Sequence, residues 1–306
     1  MTIRSRVITG GMLVLLAATT WGLAAGVRER SARADVRALT DRGTRLLQAG
    51  RYQEAEPVLR QAVAIADRRI GIDDRQTAFA LNQLGMADKY TARFDEGAAN
   101  YHRALQIVER DARPDALLLA DLYQNLGGLE HARQRFAAGE PFARRAVTIR
   151  VQALGEDDPA VAADRAALAA ILDGQGRYGE AEPLYVAAIA AFDRAHIGAH
   201  ADLAVALNNL AALDQAEGNL ARAEPLYARA LSMKEMLLPP DHPDIATTAN
   251  NLAALYRRTG RYGKAAALYR RALTIFERGL GPDHPSTVIC RANYERLLKE
   301  MARHPS

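Results

Sequence analysis

The sequence predicts an all-α solenoid in which pairs of antiparallel helices stack one after another along the chain. Residues 250–273 align with residues 208–231 without a gap, at a spacing of 42 residues. The same register continues in equal steps toward the N-terminus, and a repeat of this length is typical of a solenoid. Inside each copy, apolar residues recur at helical spacing, and a turn divides the copy in two.

Two columns of the repeat show how the helices pack. One position in the second helix (helix B) is alanine in all six copies, which predicts a close approach of helices there. A turn position is aromatic in five copies, and Leu220 replaces the aromatic residue in the other. The alanine column is Ala62, Ala104, Ala146, Ala188, Ala230 and Ala272, and the aromatic column is Tyr52, Phe94, Phe136, Tyr178 and Tyr262.

The turn between the two helices has its own signature. Glycine occupies one turn position in four copies, where a left-handed backbone would end the first helix (helix A). These glycines are Gly50, Gly176, Gly218 and Gly260. Ala92 and Gln134 occupy the same position in the other two copies, so we expect these two turns to be either strained or differently built. A proline column, Pro57, Pro141, Pro183 and Pro225, is interpreted as the first turn of helix B.

Three motifs resemble the tetratricopeptide repeat in the 42-residue form found in kinesin light chain. They are Leu207-Asn208-Asn209-Leu210-Ala211, the run GRYGEAEPLY at residues 176–185, and the connectors LPPDHP at 238–243 and LGPDHP at 280–285. The resemblance covers residues 36–289. It implies a right-handed superhelix in which helix A lines a concave groove and helix B faces outward. Kinesin binding is not inferred from the resemblance, because the sequence shows no sustained N-terminal heptad coiled coil.

The predicted organisation has three parts. Residues 1–34 form a signal anchor or signal peptide, residues 35–287 form six tetratricopeptide repeats, and residues 288–306 form a capping helix and tail. The repeats are residues 36–77, 78–119, 120–161, 162–203, 204–245 and 246–287. In the last part, Tyr294, Leu297 and Leu298 are expected to face inward.

The N-terminal part predicts membrane targeting. Residues 7–27 carry no charge, Arg4 and Arg6 precede them, and a run of this length can cross a bilayer. We therefore expect an uncleaved inner-membrane anchor with the repeats exported to a bacterial periplasm. The alternative is a signal cleaved near Ala32-Arg33-Ala34, which would leave a soluble periplasmic or secreted protein.

Charge and motif content argue against other functions. Without residues 1–34 the chain has 35 basic and 35 acidic residues, so its basic pI does not indicate nucleic-acid binding. Cys290 is the only cysteine, so no intramolecular disulfide is possible. No phosphate-binding loop or nucleophile motif occurs. His196 and His200 have a spacing seen in metal sites but lack a third ligand. We expect no enzyme activity, cofactor, metal site or small-molecule substrate.

The resemblance places a column of carboxamides in the concave groove. Its members are Asn82, Gln124, Asn208 and Asn250. A carboxamide both donates and accepts hydrogen bonds, so this column could hold the backbone of an extended peptide. Neighbours expected to add specificity are Lys89, Tyr90, Asp121, His131, Gln215, Arg257 and Arg258. The adjacent column, Gln83, Asn125, Asn209, Asn251 and Asn293, is expected to hold the adjacent helix or connector.

The predicted function is that of a non-enzymatic scaffold. It would bind a partner protein, through an extended segment of that partner, in the concave groove. The alternative is a structural subunit of an envelope or membrane complex that acts through oligomerisation or its outer surface.

Overall fold

The protein is described here by a computed structural model that covers residues 4–70, 74–195 and 198–303, with side chains from Gly26 onward. Thirteen helices and no strands occur in these residues. The helices are α1 Arg4–Gln48, α2 Tyr52–Arg69, α3 Arg75–Tyr90, α4 Phe94–Arg110, α5 Ala116–Ala132, α6 Phe136–Leu154, α7 Pro159–Gly174, α8 Tyr178–Arg194, α9 Ala201–Glu217, α10 Leu220–Leu237, α11 Pro243–Arg258, α12 Tyr262–Gly279 and α13 Pro285–Arg303.

The helices alternate as the repeat predicts: odd-numbered helices are helix A and even-numbered helices are helix B. Every helix B begins at the aromatic turn column or at its substitute, Leu220. The proline column therefore lies at the sixth residue of helix B, so its assignment to the first turn was wrong. The reason is that helix B starts one turn earlier than expected, at the aromatic residue.

The turns between A and B helices share one geometry. The four predicted glycines have φ between 71° and 90°, and Ala92 and Gln134 adopt the same left-handed backbone with φ of 61° and 59°. The prediction of strain at these two residues is confirmed. In each turn, the N–H of the residue after the left-handed one donates to a carbonyl in the last turn of helix A, as in Arg51 N to Leu46 O at 2.9 Å.

Large residues of helix B pack against small residues of helix A inside each pair. Tyr101 is fully buried, and its ring carbons lie within 3 Å of where a Cβ on Gly85 would stand. Tyr185, Tyr227 and Tyr269 are also buried at the position of Tyr101, and the buried residues Ala169, Ala211 and Ala253 stand at the position of Gly85. All members of the predicted alanine column are almost completely buried, so the close approach expected there is confirmed.

Histidines and aspartates begin the A helices. His242 Nδ1 accepts a hydrogen bond from the N–H of Asp244 at 3.1 Å, and His284 Nδ1 does the same for Ser286 at 3.2 Å. Proline follows both histidines at the first helical position. The Asp-His-Pro connectors are therefore helix starts, as predicted.

Helix A lines the inside of the solenoid. Each A helix packs against the A helix of the next copy, whereas, within the described residues, no two neighbouring B helices share a comparable interface. The A helices are therefore the closer-spaced layer, which makes their side concave. The B helices are joined across the convex side by ion pairs, including Arg93–Glu56 at 3.1 Å, Arg177–Glu140 at 2.8 Å and Arg261–Glu224 at 2.7 Å.

The solenoid coils until its first repeat meets its last. Gln53 Nε2 donates to the carbonyl of Leu280 at 3.0 Å, although 227 residues separate them. The Tyr52 ring meets the His242 ring edge-on, with centroids 6.2 Å apart. A Cβ on Gly50 would lie 2.7 Å from Cδ of Pro243. The concave groove is thereby enclosed, and we call the enclosed space the central channel.

The C-terminal helix departs from expectation at one residue. Leu298 is 45% exposed, so its predicted inward position was wrong, whereas Leu297 is fully buried. Leu298 is exposed because α13 has no helix B of its own to cover that face.

Within the described part of the chain, no helix is both long and apolar enough to cross a bilayer. The run 7–27 lies, except for its last two residues, outside the described side chains, so the anchor stays a prediction.

Candidate functional site: the central channel

The carboxamide column predicted to bind a ligand is engaged in bonds between repeats. Asn125 Nδ2 donates to Asn82 Oδ1 at 2.9 Å, and Asn251 Nδ2 donates to Asn208 Oδ1 at 3.2 Å. Asn293 Nδ2 makes the same bond to Asn250 Oδ1 at 3.4 Å. Asn82 and Asn208 are consequently buried. The second carboxamide column thus holds the first column of the preceding repeat, rather than an adjacent backbone.

The fourth repeat interrupts this network. Its two positions are Ala166 and Ala167, which can neither accept nor donate a side-chain hydrogen bond. Gln124, in the third repeat, therefore lacks the donor that Asn82, Asn208 and Asn250 receive from the next repeat. Among the described residues its carboxamide makes no hydrogen bond, and its side chain is half-buried. Gln124 is thus the member of the column that remains available to a ligand.

Lys89 and Tyr90 lie at the end of α3, where the first and last repeats meet. The Tyr90 ring stacks on Tyr52, with centroids 4.3 Å apart and planes 7° apart. Lys89 Nζ lies 5.4 Å from the centre of the Tyr90 ring and forms no ion pair with a described residue. Burial lowers the pKa of Lys89, and the charge of Asp244 opposes that change. Tyr90 is therefore packed against the first repeat through Tyr52, while Lys89 is free to bind.

His131 and Asp173 occupy the equivalent position in the next two repeats. His131 is open to water, but the surrounding helices partly desolvate it and lower its pKa, and the charge of Lys89 adds to this. Asp173 is half-buried, and burial raises its pKa, with Glu217 adding to the effect. Neither side chain has a hydrogen bond or ion pair with a described residue. Asp173 was not predicted as a site residue, although it lies 42 residues after His131, at the equivalent position of the next repeat.

Asp121 belongs to a buried ion-pair cluster. Arg150, 6% exposed, donates from Nη2 to Asp121 Oδ1 at 2.8 Å and from Nε to Asp164 Oδ2 at 2.7 Å. Burial raises the pKa of Asp164 to about 6, and the hydrogen bond and charge of Arg150 act against that rise. The Asp121 side chain is about half exposed to the channel and is already paired with Arg150. It is therefore a weaker candidate for ligand contact than Lys89 or Gln124.

The remaining predicted residues lie on α9 and α11. Arg257 Nη1 donates to Glu300 Oε1 at 2.7 Å, and Arg258 Nη1 donates to the carbonyl of Gln215 at 2.5 Å. These two arginines tie successive A helices together. Gln215 Oε1 is buried and accepts no hydrogen bond from a described residue. The structure thus assigns the arginines an internal role that their position in the repeat did not reveal.

A pocket of about 610 Å³ opens on the concave side, between residues 33–41 of α1 and the N-terminal ends of α3 and α5. Exposed Phe79 and Leu117 supply apolar surface, and Arg37 and Asp41 lie beside them without an ion pair. These residues were not predicted from the sequence. Phe79 could have been found, because it stands one repeat before Asp121 in the same column.

The described residues contain no group of three or more histidine, cysteine, aspartate or glutamate side chains that could hold a metal ion. His200 Nδ1 accepts a hydrogen bond from the N–H of Asp202 at 3.2 Å and begins α9. His196 lies outside the described residues. The chemistry that the channel offers is therefore hydrogen bonding and charge, from Lys89, Gln124, His131 and Asp173.

The fold was compared with solved structures. The chain is similar to BtubC (BKLC) from P. vanneervenii, with 23% identity over 86% of this chain and 94% of that chain and a TM-score of 0.52. It is similar to a Rap protein complexed with Competence and Sporulation Factor, with 13% identity over 89% and 88% and a TM-score of 0.60. The apo form of RapI gives 12% identity over 88% and 72% and a TM-score of 0.53. At these identities the likeness shows the fold alone.

No curated protein matches the chain by sequence. The family model of the tetratricopeptide repeat matches residues 34–110, 118–194, 168–236, 202–278 and 244–306. These matches cover most of the chain and all of its helix pairs. The protein therefore belongs to the tetratricopeptide repeat family, with 42-residue repeats like those of kinesin light chain.

Proposed function

We propose that the protein is a non-enzymatic scaffold that binds an extended segment of a partner protein in the central channel. One observation carries this proposal: four polar side chains on the concave side of the second to fourth repeats form no hydrogen bond or ion pair with a described residue. They are Lys89, Gln124, His131 and Asp173. Polar groups held in a partly desolvated channel gain most from a ligand that supplies their hydrogen bonds.

The shape of the channel supports an extended ligand. Residues at one inward-facing position of the A helices are small in four successive repeats, so a chain could lie along them. These residues are Gly128, Ala170, Ala212 and Ala254. The free groups line the same path and could pair with a peptide backbone or its side chains. The Rap protein that shares this fold was solved in complex with Competence and Sporulation Factor, which agrees with a ligand-binding role.

Blocking the channel tests the proposal. Ala170→Trp would place a large ring on the channel floor, whereas Ala187→Trp adds the same ring to the exposed outer face of α8. Full-length protein and both variants are purified from cells after mild crosslinking, and co-purifying proteins are quantified by mass spectrometry. The proposal predicts a partner lost from Ala170→Trp and retained by Ala187→Trp. Equal recovery with both variants, when both melt at the wild-type temperature, contradicts it.

A second candidate function is a structural subunit that assembles through its outer surface. It is favoured by an outer pocket of about 540 Å³ lined by Arg270, Arg271 and Arg278 together with Pro240 and Ile275. Arg270 and Arg278 form no ion pair with a described residue, so this surface could meet an acidic partner. In this case Ala170→Trp would leave assembly unchanged, and charge reversal at Arg270 would weaken it.

We also propose export with retention in the inner membrane by residues 7–27, and the repeats in the periplasm. The support is the uncharged run with arginines on both sides. Alkaline carbonate extraction of membranes separates the alternatives: an anchored protein stays in the pellet, whereas a protein cleaved near residue 34 is released at a lower mass. Protease added to spheroplasts should digest the repeats. Protection from that protease would contradict export.

A further inference from the structure

His242 lies in the contact that closes the solenoid. The residue is 4% exposed, and the first repeat covers it: the Tyr52 ring meets its ring edge-on, and a Cβ on Gly50 would lie 3.0 Å from its Cδ2. We call the residues of this contact the closure interface: Gly50, Tyr52 and Gln53 on one side, and His242, Pro243 and Leu280 on the other. Closure of the solenoid therefore removes the His242 ring from water.

The His242 ring must be neutral to fill its place in the fold. Its Nδ1 accepts from the N–H of Asp244 at the start of α11, and the carbonyl of Asp244 accepts from Nζ of buried Lys234 at 3.2 Å. A proton on Nδ1 would face the N–H of Asp244, so the cap of α11 would be lost. It would also add a second positive charge beside Lys234 at a helix N-terminus, where the helix dipole disfavours cations.

His200 shows what is particular to His242. It stands one repeat earlier and caps α9 in the same way, with Nδ1 accepting from the N–H of Asp202. Its side chain is 34% exposed, and its ring packs on Phe192 with centroids 5.1 Å apart. One repeat later, Lys234 stands at the position of Phe192. Cover by the first repeat and a neighbouring lysine therefore distinguish His242 from His200.

The groups around His242 act on it in both directions. Burial is the main cause that lowers the pKa of His242, and Lys234 adds to it, whereas the charges of Asp244 and Asp241 oppose it. The other charged or titratable groups near the closure interface are Arg51, Tyr52, Glu54, Lys89, Tyr90, Arg278 and His284. A pocket of about 240 Å³, lined in part by exposed side chains, places solvent beside Gly50 and Asp241.

We propose that protonation of His242 opens the closure interface, so that the central channel is closed at neutral pH and opens as the pH falls. Once the first repeat moves away, water solvates the imidazolium, and the pKa of His242 rises toward its ordinary value of 6.5. Between the two pKa values the open form binds more protons than the closed form. Closure therefore strengthens as the pH rises through this range and is constant above 6.5. The inference goes beyond the proposed function, because it holds for an empty channel.

The test measures the distance across the closure interface in the full-length protein. Spin labels are attached at two exposed outer positions, Gln61→Cys on α2 and Ala267→Cys on α12, in a Cys290→Ala background. Double electron–electron resonance then gives their separation from about pH 7.5 to about pH 5, the range in which histidine titrates.

Three variants carry the same pair of labels. His242→Asn keeps a side-chain acceptor for the cap but does not titrate in this range. His200→Asn is the matched control, because it makes the same change at a cap outside the closure interface. Lys234→Phe restores the residue that the preceding repeat has.

In the wild type we expect a population at longer distance to grow below about pH 6.5, with the ratio of open to closed forms rising by up to about tenfold for each pH unit. His200→Asn should respond as the wild type does, and His242→Asn should keep the short distance throughout. Lys234→Phe should open less, because loss of the lysine charge raises the pKa of His242 in the closed form. Circular dichroism at each pH checks that the helices persist.

Three results overturn the proposal: a wild-type distance that does not change with pH, a response that persists in His242→Asn, or a loss of helix at the pH where the distance changes. NMR titration of the histidine ring protons adds a second measurement. In Gly50→Leu the new side chain would collide with His242, so the pKa of His242 should be higher than in the wild type. Equal values would show that the first repeat does not control this titration.

Discussion

Arg150 and Asp164 form a buried ion pair, joined at 2.7 Å from Nε to Oδ2, at an interface that is apolar in the preceding repeat. The equivalent residues one repeat earlier are Val108 and Leu122, which are both buried. The chain therefore contains its own apolar template for this pair. Apolar side chains can therefore fill the positions that this ion pair occupies at the boundary between the third and fourth repeats.

This template gives a prediction about stability. Asp164→Leu alone should lower the free energy of unfolding by about 3 kcal/mol, because it removes one partner of buried Arg150 and leaves only Asp121. The double variant Arg150→Val/Asp164→Leu should unfold within about 1 kcal/mol of the wild type, because well-packed apolar residues replace a buried ion pair at little cost. Urea unfolding of the three proteins checks this. A double variant less stable than Asp164→Leu would contradict the account.

The left-handed turns give a second prediction. Ala92→Gly should raise the free energy of unfolding by about 1 kcal/mol, because glycine adopts a φ of 61° without the strain of a Cβ. Gly176→Ala is the reciprocal control: φ there is 75°, and a Cβ would meet no atom within 4 Å, so its expected loss of about 1 kcal/mol is a backbone effect alone. Changes of the same sign in both variants, measured by urea unfolding, would refute the interpretation.

Closure of the solenoid can be tested with matched glycines. Gly50→Leu should open the contact between the first and last repeats, because the new side chain would collide with Pro243 and His242. Gly176→Leu imposes a similar backbone strain with no neighbour to displace. Small-angle X-ray scattering should show a larger radius of gyration for Gly50→Leu only. An unchanged radius in both variants would mean that the contact does not hold the coil closed.

The interrupted carboxamide network gives a prediction that separates stability from binding. Gln124→Asn/Ala167→Asn recreates, between the third and fourth repeats, the pair that joins Asn208 and Asn251. We expect a gain of about 0.5–1.5 kcal/mol in the free energy of unfolding, from one more hydrogen bond. The partner that co-purifies with the wild type should bind this variant more weakly, because residue 124 is then engaged. Tighter binding would show that Gln124 is not a ligand contact.

The repeat period was sufficient to predict most of the fold. It predicted the helix pairs, the alanine column, the glycine turns and the strain at Ala92 and Gln134, because each is a local property of one repeat. It did not predict closure, since the hydrogen bond from Gln53 to Leu280 depends on curvature accumulated over the whole array. The start of helix B at Tyr52 was placed too late, because the proline column was taken as a first-turn signal.

The candidate site was predictable only in part. The inward columns were identified, but the sequence could not show that Asn208 is paired with Asn251 or that Arg257 is paired with Glu300. Those bonds join residues 43 positions apart, and they depend on the offset between neighbouring A helices. The distinction between paired and free groups, which singles out Gln124 and Lys89, therefore required the structure.

The most direct test of the central claim is site-specific photo-crosslinking in living cells. A photoreactive residue replaces Gln124 in the channel or, in a second strain, Arg270 on the outer surface, and adducts are identified by mass spectrometry. We predict that position 124 captures one protein through a short contiguous segment and that position 270 does not. Adducts from position 270 alone, or adducts of the protein with itself at both positions, would contradict the account.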